Sequence, residues 1–210
     1  MYYTRDALSG YTTGGPGEIL HCPDSESAFG LLESLIELYD MTKEEKWLEY
    51  SKYMANHCSS WVVSYNYHFP KSSEFGKLDM KTIGSVFANV QNKNSAPGIC
   101  TLSGNSLYKL YKFTKNEMYL ELLKDIALTI SQYMSTKERP IFSWDVPKDA
   151  SLLSDNNIKS EKEQLPQGFI CERVNMSDWE GARCVGGVFN GSCWSETSNL
   201  LTLAEVVELI

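Results

Sequence analysis

An internal repeat constrains this chain more than any other feature. The line Tyr39-Asp40-Met41-Thr42-Lys43-Glu44-Glu45-Lys46-Trp47-Leu48 returns as Tyr111-Lys112-Phe113-Thr114-Lys115-Asn116-Glu117-Met118-Tyr119-Leu120, at a constant offset (111 − 39 = 72; 120 − 48 = 72). Tyr, Thr-Lys, Glu, an aromatic residue and Leu recur in register, and Ala55 and Ala127 extend the match. Such a period sets the architecture, because each copy is a supersecondary unit that buries its apolar face only against neighbours. In 210 residues a period of 72 leaves room for about three units.

Each copy reads as a helical hairpin. Asp24-Ser25-Glu26-Ser27 offers capping side chains ahead of a one-faced stripe at Ala28, Leu31, Leu32, Leu35, Leu38 and Tyr39. The pattern Thr42-x-x-Glu45 predicts a capping box opening a second helix, whose buried face is Trp47, Leu48, Met54, Ala55 and Cys58. In the second copy Leu107, Leu110 and Tyr111 precede the equivalent box at Thr114-x-x-Glu117. Met118, Leu122, Leu123, Ile126, Ala127, Ile130 and Tyr133 then make the cleanest stripe in the sequence. Connections this short force antiparallel packing.

Residues 1–23, with Gly14, Gly15, Pro16, Gly17 and Pro23, read as an irregular arm, and 24–135 hold the two hairpins. Trp61 to Pro70 is either one more helical turn or a short extended piece, and Pro70 to Gly84 is loop. A long loop region covers 136–194, first charged and proline-bearing, then rich in Gly and Cys. The terminal helix, 195–210, is apolar around much of its circumference through Leu200, Leu201, Leu203, Ala204, Val206, Val207, Leu209 and Ile210. A helix of that kind needs cover on more than one side. By the period it opens a third hairpin that lacks its second helix, so either the sequence is part of a larger protein or a second copy covers the face as a homodimer. The fold class expected is all-α, one domain of antiparallel hairpins with long irregular loops.

Composition narrows the function. A formal net charge of −8 argues against nucleic acid and anionic membrane as partners, since both need a basic face. Twelve Tyr, 5 Trp and 8 Phe supply flat rings that suit sugar faces as well as cores. Cys22, Cys58, Cys100, Cys171, Cys184 and Cys193 form no C-x-x-C pair, so buried free thiols are expected. Nothing at Met1-Tyr2-Tyr3-Thr4-Arg5 resembles a signal peptide and no apolar run is long enough to span a membrane, which points to a cytoplasmic chain unless its true start is missing.

Three segments together resemble the six-hairpin (α/α) toroid of glycosidases: Asp24-Ser25-Glu26-Ser27-Ala28, the two Tyr-x-x-Thr-Lys-x-Glu-x-aromatic-Leu lines, and Trp194-Ser195-Glu196. The resemblance covers the helical regions, about half the chain. It implies an incomplete toroid, about half of one, with a sugar site where the inner helices begin. It does not choose among glycoside hydrolase, polysaccharide lyase and sugar epimerase.

Glycoside hydrolysis generally uses two carboxyl groups flanking the scissile bond. The richest cluster is Cys171 to Gly181. Asp178 and Glu180, with Glu172, are the candidate catalytic residues, Trp179 a stacking platform, and Arg173 and Asn175 further substrate contacts. In the opposing reading Glu172 pairs with Arg173 or Arg183 and the rest caps a helix. Asp24 and Glu26 also stand as substrate-binding candidates, although a helix start favours carboxylates as caps. Trp194 and Asn92 complete the set, Asn92 within the loop Gln91-Asn92-Lys93-Asn94-Ser95, which either presents amides to sugar hydroxyls or forms a turn that pairs with its own backbone. His57 and His68 lack partners for a hydrolytic triad, and the spacing of Cys171, Cys184 and Cys193 around Glu172 matches no known metal site. No cofactor or metal is expected. A non-catalytic helical repeat that binds sugar or protein is the competing function.

Overall fold

A computed structural model describes residues 23–90, 93–99, 102–142, 164–177, 185–189 and 193–206, with backbone alone for 193–195. Helix α1 (Ser25–Thr42) and helix α2 (Glu45–Ser60) form the first hairpin. After the one-turn helix α3 (Glu74–Lys77) and two short strands, α4 (Asn105–Thr114) and α5 (Glu117–Ile130) form the second. Helix α6 (Cys193–Val206) follows and packs on α5. Most of each predicted stripe is buried, although Leu38 and Met118 stand exposed: Ala28, Leu32 and Leu35 of α1 meet Met54 and Cys58 of α2 and Leu107, Leu110, Leu123 and Ile126 of the second hairpin in one apolar core. Tyr39 and Phe113 join the turn ends of the two hairpins, with ring centroids 5.0 Å apart at 75°.

The repeated turn has the same geometry in both copies, but it is not a capping box. Thr42 is the last residue of α1 and donates its hydroxyl to the Leu38 carbonyl at 2.7 Å; Thr114 closes α4 on Leu110 in the same way, at 2.7 Å. The next residue turns left-handed, Lys43 at φ 55° and Lys115 at φ 58°, and its N–H bonds back to the carbonyl of Tyr39 or Tyr111. The threonine oxygen then accepts from the N–H two residues on, Glu44 or Asn116. The threonine therefore ends one helix, and the next begins after Glu44, whose side chain makes no capping hydrogen bond, or after Asn116, whose Oδ1 accepts the Met118 N–H at 3.1 Å. Reversing the chain in so few residues requires the left-handed step that glycine usually supplies.

The expected all-α class, and with it the incomplete all-α toroid, is overturned. About half of the structure is helical, and four strands form an antiparallel sheet in the order β1 (Val86–Phe87), β2 (Asn94–Ala96), β3 (Arg173–Asn175) and β4 (Val188–Phe189). The strands are two or three residues long, too short for an alternating pattern to show in sequence. The outer edge of β1 is covered by the chain leaving α2, where Phe87 N–H bonds to Trp61 O, and by the start of α1, where Ser25 N–H bonds to Ala88 O, each within 2.9 Å.

The sheet therefore sits at the end of the array where α1 begins, with β4 only a few residues before α6. One of its faces, through Val174, Val188 and Met176, closes a second core with Val63, Phe75, Met80, Tyr133, Ile141, Leu165 and Cys171. No described helix is long and apolar enough to cross a membrane, and Leu200 and Leu201 of α6 stand exposed.

Candidate functional site

The register of the sheet brings its polar residues together. Asn94 is paired with Asn175, and Ser95 with Val174, across β2 and β3; Arg173 is paired with Phe189 across β3 and β4. Side chains alternate along a strand, so Asn94, Asn175, Arg173 and Phe189 share the face opposite the one that closes the second core. Asn94 and Asn175 are buried. Asn175 Oδ1 accepts the Ser177 N–H at 3.1 Å, whereas the buried Oδ1 of Asn94 has no hydrogen-bond partner. Burying such a group unpaired costs about 1–3 kcal/mol, so a polar atom left this way in a native fold calls for an explanation.

Arg173 is held differently. Its guanidinium lies over the Phe189 ring, with Cζ 4.4 Å from the centroid. Its Nε is buried and makes no hydrogen bond; the Glu172 Oε1 stands 3.7 Å away. That separation is an ion-pair distance, beyond hydrogen bonding.

Glu172, Arg173 and Asn175, picked out in the sequence, are thus brought together on β3 and the residue before it. Asp24 lies at the same end, bridged in antiparallel fashion to Asn89, but its carboxylate is occupied as the cap of α1: Oδ1 accepts the Ser27 N–H at 2.7 Å and Oδ2 the Ser27 hydroxyl at 2.8 Å. Glu26 sits in the first turn of α1. Asp178, Trp179, Glu180 and Asn92 lie outside the described residues, and Trp194 falls in α6 where the backbone alone is described. Cys58 and Cys171 are buried free thiols, each with its pKa pushed up by burial. Among the described residues no group of three His, Cys, Asp or Glu gathers to hold a metal ion.

Several contributors escaped the sequence reading. Phe189, which supports Arg173, belongs to a short line that occurs twice, Gly84-Ser85-Val86-Phe87 and Gly186-Gly187-Val188-Phe189. Each copy is an outer strand of the sheet entered through a glycine at positive φ, 87° at Gly84 and 79° at Gly186, and this repeat is the signal that would have found the strands. Asn199 of α6 is fully buried with neither amide atom hydrogen-bonded, packed so closely on Gly98 that a Cβ there would stand 2.0 Å from its Oδ1. Beside it Thr202 donates to the Ser103 carbonyl at 2.6 Å, fixing α6 to the bend that leads into α4. Glu74, also buried, accepts the Phe142 N–H at 3.1 Å and serves the second core rather than the polar face.

The arrangement offers a stacked cation, a buried amide oxygen and a carboxylate on neighbouring positions of one small sheet. No protein-family model matches this chain, and no curated protein matches it significantly.

Proposed function

We propose that this chain is carbohydrate-active and acts as a glycoside hydrolase, or as part of one, with its sugar lying against the polar face of the sheet. The observation that carries the reading is the row of Asn94, Asn175 and Arg173, in which Asn94 Oδ1 and Arg173 Nε are buried without a hydrogen bond, at the end of the array where α1 begins. Sugar hydroxyls are both donors and acceptors and suit such polar groups. The resemblance of the helical lines to toroid glycosidases points the same way. In this proposal Asp178 and Glu180, three and five residues beyond the end of β3, divide the acid and base roles, with Glu172 nearby.

The test is a broad glycan screen on the purified chain, followed by hydrolysis assays of Asp178→Asn and Glu180→Gln. Binding of an oligosaccharide, with turnover falling at least a hundredfold in either variant, is expected. A chain that binds no glycan sinks the reading. A second reading, a non-catalytic sugar-binding module, is favoured by one observation: the described carboxylates at this end are engaged, Asp24 in its cap and Glu172 beside Arg173. Glycan binding with no hydrolysis would select it.

A further inference from the structure

We infer that helix α6 is a latch, caught at Ser103 and built to open while both hairpins stay folded. Its amphipathic pattern is inverted. Ser198, Asn199 and Thr202 are buried, whereas Leu200 and Leu201 are 68% and 50% exposed. Of its described apolar side chains only Val206 is fully buried in the helical core, with Leu203 packed against it in part. Helix α5, by contrast, buries Leu123, Ile126 and Ile130 completely or nearly so. A helix in a protein owes most of its stability to the apolar face it buries, so α6 is held far less firmly than α5.

The polar seam beneath the helix is incompletely bonded. Both amide atoms of Asn199 and the Oε2 of Glu205 are buried without a hydrogen bond. Each lost its hydration when the helix was seated and recovers it when the helix lifts, so these groups favour opening. The opposing bonds converge on the bend before α4. The Ser103 carbonyl accepts the Thr202 hydroxyl at 2.6 Å, and the Ser103 hydroxyl donates to Glu205 Oε1 at 2.9 Å. Ser103 Oγ also accepts the Asn105 N–H at 3.2 Å, which fixes the catch to the second hairpin. Cys193 opens α6 only four positions after Phe189 (193 − 189 = 4), so an open helix stays tethered to the strand that supports Arg173.

The catch depends on pH through Glu205. Burial raises its pKa and Glu33 of α1 adds to the rise, while the Ser103 hydroxyl and Lys109 and Lys112 of α4 oppose it. A carboxyl whose pKa is raised when seated favours the seated helix in acid. That support is lost as pH climbs from the ordinary value of 4.5 through the raised one.

The experiment is hydrogen exchange on the full chain, read as protection factors at about pH 4.5 and about pH 8. At the higher pH the amides of Asn199 to Leu203 are expected to be at least a hundredfold less protected than those of Leu123 to Ala127, and in acid the gap should narrow. Glu205→Gln should remove that narrowing. Ser103→Ala should cost α6 at least tenfold in protection and leave α5 unchanged. Asn199→Leu should raise the protection of α6 at least tenfold, beyond the roughly threefold that the better helix propensity of leucine can give. An amide that merely packs the seat would act with the opposite sign. Equal protection of α6 and α5 in the unaltered chain, faster α6 exchange in Asn199→Leu, or joint loss of protection in α5 and α6 in Ser103→Ala overturns the inference.

Discussion

The two cores of this protein are built on different principles. The helical core draws mainly on α1, α2, α4 and α5, whose apolar residues recur at helical spacing so that each brings a ready-made stripe, with Val206 of α6 added. The core beneath the sheet draws single residues from scattered segments: Val63 after α2, Phe75 in α3, Tyr133 after α5, then Ile141, Leu165, Cys171, Val174 and Val188. Polar groups buried with it are tied individually. Tyr133 and Ser85 share a hydroxyl bond of 2.9 Å, Ser135 bonds to the backbone of Ile141 and Leu165, and Thr82 links the backbones of Tyr65 and Tyr67. Local periodicity can build the first kind of core; the second exists only once distant segments have met, and it carries the candidate site on its sheet.

The largest effect is expected at the centre of the second core. Phe75→Ala should cost about 3–5 kcal/mol in denaturant unfolding, comparable to Leu123→Ala in the helical core at about 2–5 kcal/mol. Hydrogen exchange separates the two. Phe75→Ala should expose the amides of Cys171 and Asn175 while those of Leu35 and Ile126 stay slow, and uniform loss of protection would show that the cores unfold as one unit.

Next is Tyr133→Phe, which removes the hydroxyl that meets buried Ser85 Oγ and should cost about 1–3 kcal/mol. Burial holds the Tyr133 phenol well above its ordinary pKa, so this group should cost stability as pH rises above the unfolded phenol's value of about 10. Adding Ser85→Ala should recover part of the loss, since the orphan is then gone.

A smaller change of opposite sign is expected in the repeated turn. Lys115→Gly relieves a left-handed residue and should raise stability by about 1 kcal/mol. Lys43→Gly should gain less, because Lys43 Nζ is 2.6 Å from Asp40 and lies over both Tyr39 and Phe113. Equal gains would mean that those contacts contribute no more than the single contact of Lys115 Nζ over the Tyr111 ring.

Smallest is Glu205→Gln on α6. Partial burial raises the Glu205 pKa despite the Ser103 hydroxyl at 2.9 Å. The native state then holds its proton more tightly than the unfolded chain, so stability falls as pH rises above the unfolded value of about 4.5. The glutamine variant lacks that fall. Its advantage should appear in thermal midpoints at neutral pH and vanish in acid.

The helices were legible because their apolar spacing is a local property: the Leu32, Leu35 stripe and the Leu123, Ile126, Ile130 stripe are buried as read. The turn was legible as a repeat and misread as a cap. Thr42 and Glu45 fit a capping box by residue type, and only the left-handed Lys43 gives the hydroxyl to Leu38 instead. The sheet went unread, since Val86-Phe87 and Val188-Phe189 are too short to show alternation and β2 meets β3 across 81 positions (175 − 94 = 81). Of the site, Glu172, Arg173 and Asn175 were found through their chemistry. Asn94 was noticed as part of a loop, and Phe189, which orients Arg173, was missed.

The sequence by itself determined the two hairpins and the turn that closes each of them, because helical period and chain reversal are written within a few residues. Tertiary structure alone decided that distant short segments pair as a sheet and that Arg173 rests on Phe189. Arg173 and Phe189 stand 16 positions apart (189 − 173 = 16) and Asn94 and Asn175 stand 81 apart (175 − 94 = 81), and no local pattern encodes such pairings.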